Sequence, residues 1–194
     1  MDWKLVLRIA AIASLMYLLL SSVAGCRSES GPVIDWKECS HQIGDHPCDF
    51  TLMDQNGDEF NLYDHHGKII ILDFSAMWCG PCGMAALEVE DLQKKYGENI
   101  VYVTVLIENQ SYNPPTKNDL KKWAKHFGIE SAPVLAGSRS MTSVDPNKGW
   151  HISAWPQFYI IDKNMVLVDG FKGFYPGAIE LMIAANLKGD TGSP

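Results

Sequence analysis

Two cysteines, Cys79 and Cys82, stand two residues apart in the stretch DFSAMWCGPCG, residues 73–83, directly behind an apolar run. Sulfurs at this spacing exchange electrons as a dithiol and disulfide, hold half of a metal site, or pack without chemistry. A zinc site wants a second pair at comparable spacing, and none follows in the sequence. A purely structural pair is out of place where a buried strand gives way to a helix, beside Trp78. At such a corner Cys79 meets unpaired backbone N–H groups and the positive end of the helix dipole, both of which favour a thiolate. Cys82, one turn on, sits deeper and within reach of the first sulfur. Gly80-Pro81 between them suits a helix start, where proline lacks no needed N–H. The pair reads as a redox couple, with Cys79 as nucleophile and Cys82 as the resolving thiol.

The elements that must hold this corner are legible on either side of it. KIIILDF, residues 68–74, is a continuous apolar, β-branched run, the mark of a strand buried on both faces. MAALEVEDLQKKY then places Met84, Leu87, Val89, Leu92 and Tyr96 near helical spacing, and Gly97 ends the helix. NIVYVTVLI, residues 99–107, is a second buried strand, so the three elements form a right-handed βαβ unit with parallel strands. After the loop ENQSYNPPT, a helix capped at Thr116 turns Leu120, Trp123, Ala124 and Phe127 inward, and Gly128 closes it. APVLAG suits a short strand, and SRSMTSVDPNKG a loop or partial helix. QFYIID and MVLVDGF are strands around a tight turn, and a last helix starts at Pro176. Upstream, DFTLMDQNGDEFNLYD is a hairpin with Asn-Gly at its tip. The expected class is α/β: a mixed central β-sheet with helices on both faces and an N-terminal β-hairpin extension.

The motif WCGPC after a strand ending in DF resembles thioredoxin, and the wider layout of residues 44 to 188 resembles extracytoplasmic thioredoxin-like proteins of the redoxin and TlpA type. The resemblance implies a thioredoxin fold, thiol-disulfide exchange with protein disulfides, and no cofactor or metal. It maps Asp73 onto a buried carboxylate that assists proton transfer at the second cysteine. Burial disfavours that charge, so its pKa is expected to rise toward a range useful for proton transfer. It maps Pro156 onto a cis-proline facing the cysteines, with Trp155 offering backbone groups to an extended substrate segment and Trp78 covering the sulfurs. Gly173 matches a glycine near the rim. Four positions depart from the family pattern. Gly83 replaces a basic residue, Ala85 a glutamate, Leu87 a helix-kinking proline, and Trp155 a smaller Thr or Val.

The N-terminus places this chemistry. Lys4 and Arg8, the apolar run from Ile9 to Leu20, and the small residues of SSVAGC follow the three-part layout of an export signal. The run falls short of the ~20 apolar residues of a spanning helix. VAGC resembles the bacterial lipobox, which implies cleavage after residue 25 and lipidation of Cys26; the alternatives are a plain secretory signal with a chance cysteine or an uncleaved anchor. The expected organisation is a signal peptide over residues 1–25, a lipidated cysteine and tether over 26–43, a thioredoxin-like domain over 44–189 and a disordered tail over 190–194. The protein is then an extracytoplasmic, membrane-anchored lipoprotein on the periplasmic side. Arg27 is not the aspartate that marks inner-membrane retention, so both membranes stay open. A formal net charge of −7 leaves no basic surplus for nucleic acid.

With Cys26 lipidated, Cys39 and Cys48 remain beside the redox pair, and an oxidising compartment suggests that they form a structural disulfide. The alternative is metal or copper handling by Cys39, His41, His46 and Cys48, four good ligands within ten residues. A second rival is a thiol peroxidase, because IGDHPCDFTLMDQNG resembles the opening of peroxiredoxins. Those proteins carry a Pro-x-x-x-Thr-x-x-Cys loop, and FSAMWC has neither that proline nor that threonine. Direction follows from Gly80-Pro81, the choice of reducing thioredoxin, at about −270 mV against about −120 mV for the strong periplasmic oxidant. Reduction outside the cytoplasm implies a membrane electron donor, by resemblance of the DsbD or CcdA type.

Overall fold

The computed structural model describes residue 36 and residues 38–188. The export signal, Cys26, most of the tether and the 190–194 tail lie outside the described residues.

The buried runs form β3 (Ile69–Ala76) and β4 (Ile100–Glu108), joined by α1 (Gly80–Tyr96). A second crossover, α2 (Lys117–Phe127), leads to β5 (Val134–Ala136), and the chain continues through β6 (Gln157–Ile161), β7 (Leu167–Lys172) and α3 (Ala178–Lys188). Strand order is β5-β4-β3-β6-β7, with β3, β4 and β5 parallel and β6 and β7 antiparallel to their neighbours. Every residue of β3 and β4 is buried, as a central strand covered on both faces requires.

The sheet is flanked by helices as expected, but not on both faces. Ile69 and Ile71 of β3 and Ile100, Tyr102 and Leu106 of β4 share one apolar cluster with the buried faces of α1, α2 and α3. Ile70, Leu72 and Phe74 face the other way, into a cluster closed by Phe60, Leu62, Trp150 and Met165 with no α-helical residue. The cause is directional. The β3–α1–β4 and β4–α2–β5 crossovers step the same way across the sheet, so two right-handed turns deliver both helices to one face. Within α1 the inward set is Cys82, Ala85, Ala86, Val89 and Leu92, while Met84 and Leu87 point to solvent. The two alanines, weak as hydrophobic signals, let the helix approach the sheet closely.

α2 carries a capping box: Asp119 N–H donates to the Thr116 hydroxyl, and Thr116 N–H donates to the Asp119 carboxylate at 2.9 Å. Glu90, on the inner side of α1, accepts from the backbone N–H of Glu130 and Ser131 at 2.8 and 2.9 Å. These bonds outweigh the cost of its partial burial and hold its carboxyl down at about 2. The carboxylate thereby ties α1 to the loop that leads from α2 into β5.

The helix-free face is covered by the N-terminal hairpin and the loop between β5 and β6. Strands β1 (Thr51–Met53) and β2 (Glu59–Asn61) pair antiparallel around a turn built on Asp54. Its carboxylate accepts from the N–H groups of Asn56, Gly57 and Asp58, and Gly57 takes the positive φ of 93° that the turn needs. Next to it Gln55, buried, donates to the carbonyl of Ala132 and accepts from the N–H of Val134, at 3.1 and 2.8 Å. The side chain thus caps the edge of β5 that would otherwise be open to another strand. Gln55→Ala strands one buried donor and one buried acceptor. It is expected to cost about 2–3 kcal/mol and lower Tm by roughly 5–10 °C in a thermal melt. An unchanged Tm would mean that the β5 edge is not sealed by this residue.

Candidate active site

β3 ends in an irregularity between Ser75 and Ala76, after which Ala76 pairs with Glu108 and the chain turns into α1. Cys79 is the N-cap of that helix and Pro81 stands in its first turn, as the Gly-Pro spacing leads one to expect. The Cys79 sulfur accepts from the Cys82 N–H at 3.2 Å, so a backbone donor of the helix start points at the candidate nucleophile. Cys79 and Cys82 are joined as a disulfide. Cys82 is wholly enclosed, while Cys79 keeps 6% of its surface exposed. Only Cys79 is open to attack, which gives the two sulfurs different work.

Asp73 is fully buried and lies on the same face of β3 as Ile71, which packs in the cluster that holds both cysteines. Its Oδ1 accepts from the Ser75 hydroxyl at 2.6 Å. Its Oδ2, the Tyr102 hydroxyl and the Thr104 hydroxyl meet no hydrogen-bond partner among the described residues. Thr104 is Asp73's register partner on β4, so these groups form a small polar island beneath α1. Tyr102 lies close enough to weigh on the carboxyl's proton, although the two oxygens do not meet in good hydrogen-bond geometry. Burial pushes the Asp73 carboxyl up to about 7, and the Ser75 and Tyr102 hydroxyls only partly offset it. A group poised there both takes and gives a proton near neutrality.

The rim is a closed set of contacts. Trp78 Nε1 donates to Glu108 Oε2 at 2.9 Å, and Arg139 Nε donates to Glu108 Oε1 at 2.6 Å. The Arg139 guanidinium lies 5.6 Å from the Trp155 ring centre, and Trp155 meets Trp78 edge-on at 6.3 Å. Glu108 is buried, and the Arg139 bond chiefly, with Trp78 assisting against the cost of burial, holds its carboxyl low. One ionised glutamate therefore fixes both the indole before Cys79 and the arginine that covers the indole before Pro156. The Trp155–Pro156 peptide is cis, and the Pro156 carbonyl accepts from Gly173 N–H at 2.8 Å. Sequence reasoning reached Trp78, Trp155 and Pro156 but missed Glu108 and Arg139. Glu108 closes a buried strand and Arg139 sits in an aperiodic loop, so neither carries a local signal.

Residues 43–169 match the AhpC/TSA family, about two thirds of the chain. The chain belongs to the AhpC/TSA family. It is 28% identical over 133 residues to the thioredoxin-like protein YneN of Bacillus subtilis, a match that covers 69% of this chain and 73% of that protein. It is also 28% identical to the thiol-disulfide oxidoreductase ResA of Geobacillus kaustophilus, over 63% of this chain and 64% of ResA. Among solved structures, a Chlorobium tepidum protein provisionally described as the thiol:disulfide interchange protein DsbE superposes with a TM-score of 0.62 at 26% identity, over 76% of this chain and 99% of that one. The exposed lipoprotein thioredoxin Etrx1 of Streptococcus pneumoniae gives a TM-score of 0.57 at 26% identity, over 71% of this chain and 99% of its own. This AhpC/TSA member thus has the thioredoxin fold and is a thioredoxin-like thiol-disulfide oxidoreductase.

The N-terminal candidates stand apart from this corner of the AhpC/TSA fold. Cys39 and Cys48 are joined, their sulfurs 2.00 Å apart. His41 donates from Nδ1 to the Pro146 carbonyl, and His46 from Nδ1 to that of Met165, each at 2.8 Å. The two sulfurs are spent on each other and the imidazoles face different carbonyls, so the four do not converge as a ligand set. The loop between the cysteines instead pairs with the start of β7, through Gly44 N–H to the Leu167 carbonyl and Leu167 N–H to that of Asp45.

Proposed function

We propose that this protein reduces disulfides of protein substrates outside the cytoplasm, through the Cys79/Cys82 dithiol. The observation that carries the reading is the Cys79 sulfur, slightly exposed at a helix N-cap and joined to the enclosed Cys82. In the reduced protein the Cys79 thiolate attacks one sulfur of the substrate disulfide. A Cys79–substrate bond forms, and the other substrate sulfur leaves as a thiolate and takes up a proton. Cys82 then gives its proton to Asp73 and attacks the Cys79 sulfur, which releases the second substrate thiol. Two electrons pass to the substrate, and the protein is left with its Cys79–Cys82 disulfide. Trp155, which packs against the cluster holding both cysteines, and the cis Pro156 after it would offer backbone groups to an extended substrate segment, and Trp78 would shape access.

A membrane electron donor of the DsbD or CcdA type would return the pair to the dithiol. A lipid on Cys26 and the ten residues 27–36, which reach ~35 Å when fully extended, would keep the domain close to such a donor. The reduction potential of the pair tests the direction. It is expected near the thioredoxin value of about −270 mV in a glutathione redox titration, and a value above about −180 mV overturns the reductant reading for an oxidant or isomerase.

The family match also bears on a peroxidase reading. Rapid mixing of the reduced protein with hydrogen peroxide separates the two: consumption far faster than by a free thiol would favour the peroxidase.

A further inference from the structure

Beside Cys79, on the side toward β4 and β5, lies a cavity of about 420 Å³ between the start of α1 and the end of α2. That volume falls in the range of sites that enclose a ligand group, about 300–1,000 Å³. Its apolar wall is Trp78, Trp123 and Phe127, the last two packed edge-to-face with ring centres 4.6 Å apart. Its basic side chains are Lys122 and His126, both exposed, and no carboxylate is among the described residues that line it. In a chain of net charge −7, a wall with only basic groups selects for an acidic guest. Asp119 draws on Lys122 but does not reach the wall.

Gly83 lines this cavity and adds no side chain to it. A Cβ built there would stand 3.1 Å from Phe127 Cζ, so any side chain must push the ring aside or enter the space itself. Gly83 is also a position at which the chain departs from its thioredoxin-like pattern, and the departure leaves the lining next to the sulfur bare of a side chain there. The cavity and the Trp155–Pro156 segment belong to opposite sides of β3 in the strand order. The cavity borders the β4–β5 side of β3, and Pro156 leads into β6 on the other side. A peptide crossing the sulfur reaches both.

We propose that this cavity is a specificity subsite, resting on the reductase reading above. It takes an aromatic or long aliphatic side chain next to the substrate's disulfide cysteine, with an acidic residue adjoining that meets Lys122 and His126. The apolar guest fills the Trp123–Phe127 wall, and the basic pair orients the segment so that its disulfide lies over Cys79.

Three disulfide-linked peptide dimers test it, with Phe-Asp, Ala-Ser or Phe-Lys beside each cysteine, offered to the reduced full-length protein. The unmodified protein is expected to favour the Phe-Asp dimer over the Ala-Ser dimer in kcat/KM by about tenfold or more. Gly83→Leu fills the cavity and is expected to bring the ratio of the two rates to within about twofold of unity. Lys122→Glu, an exposed change that keeps the test open if Gly83→Leu does not fold, is expected to shift preference from Phe-Asp to a Phe-Lys dimer. Equal rates on the first two dimers, or preferences untouched by the folded variants, overturn the subsite alone. An unmodified protein that reduces none of the dimers overturns the reductase reading and the subsite with it.

Discussion

Cys82→Ser is expected to arrest the protein as a mixed disulfide with its substrate, while Cys79→Ser gives no adduct and no turnover. The difference follows from enclosure. Cys79 retains a sliver of exposed surface and a helix-start N–H at its sulfur, whereas Cys82 has no surface at all. With Cys79 gone, disulfide reduction should fall by about 10³-fold or more, to the level of an unassisted thiol. With Cys82 gone, the first attack still proceeds, but nothing within reach can displace the substrate from Cys79. Non-reducing electrophoresis and intact mass would read both outcomes. A Cys82→Ser protein that turns over normally would remove the dithiol mechanism, and adducts on Cys79→Ser would reverse the two roles.

Asp73→Asn carries the second large effect, and it has opposite signs in activity and stability. In the native protein the carboxyl is neutral below about 7 and ionised above it. Release of the second substrate thiol requires Cys82 to lose its proton, so this step should quicken as pH rises through that value. Asp73→Asn removes the acceptor, and the step should slow by roughly 10²-fold at pH 7.5 and lose its pH dependence there. Stability runs the other way. The folded carboxyl holds its proton up to about 7 against an ordinary 3.8 in the unfolded chain, mainly because burial penalises the charge. Its contribution is therefore intact below 3.8 and is lost as pH rises through about 7, a change of ~4 kcal/mol. Asparagine escapes that loss but brings an amide with unmet hydrogen bonds. At pH 8 the variant should be about 1–3 kcal/mol more stable than the native chain, with little difference at pH 5. Denaturant melts at the two pH values decide it, and a variant less stable at both would mean that the carboxyl is not carrying a buried charge.

The strand–helix corner was legible because its signals are local. A β-branched run ending at Phe74, the spacing of Cys79 and Cys82, and Pro81 between them each constrain a few adjacent residues. Asp73 stood out as a charge inside an apolar run, but its neighbours did not, since Ser75, Tyr102 and Thr104 join it only once β3 and β4 pair in register. The layering of helices was misjudged for a related reason. Periodicity tells that a helix has an inner face, whereas the side of the sheet depends on which way successive crossovers step, and that is fixed by strand order. The buried face of α1 was read through its large apolar residues, so Met84 and Leu87 were favoured over Ala85 and Ala86. Glu108 and Arg139 were out of reach because their pairing spans thirty-one residues. Gly83 was visible as a departure, but the cavity it lines also needs Phe127, which belongs to another helix.

The clip around Cys39 and Cys48 also decides where a mechanical load would enter the molecule. A pull on the chain ahead of Cys39 meets a crosslink that closes a loop of nine residues' separation, so that loop yields no slack. The tension passes instead to the bonds that hold this loop: His41 to the Pro146 carbonyl, Gly44 and Asp45 to Leu167 at the start of β7, and His46 to the Met165 carbonyl. β7 is the outer strand, with β6 between it and β3. A pull from that end would reach the outer strand and the loop before β6 ahead of β3, the strand that carries the corner with the sulfurs.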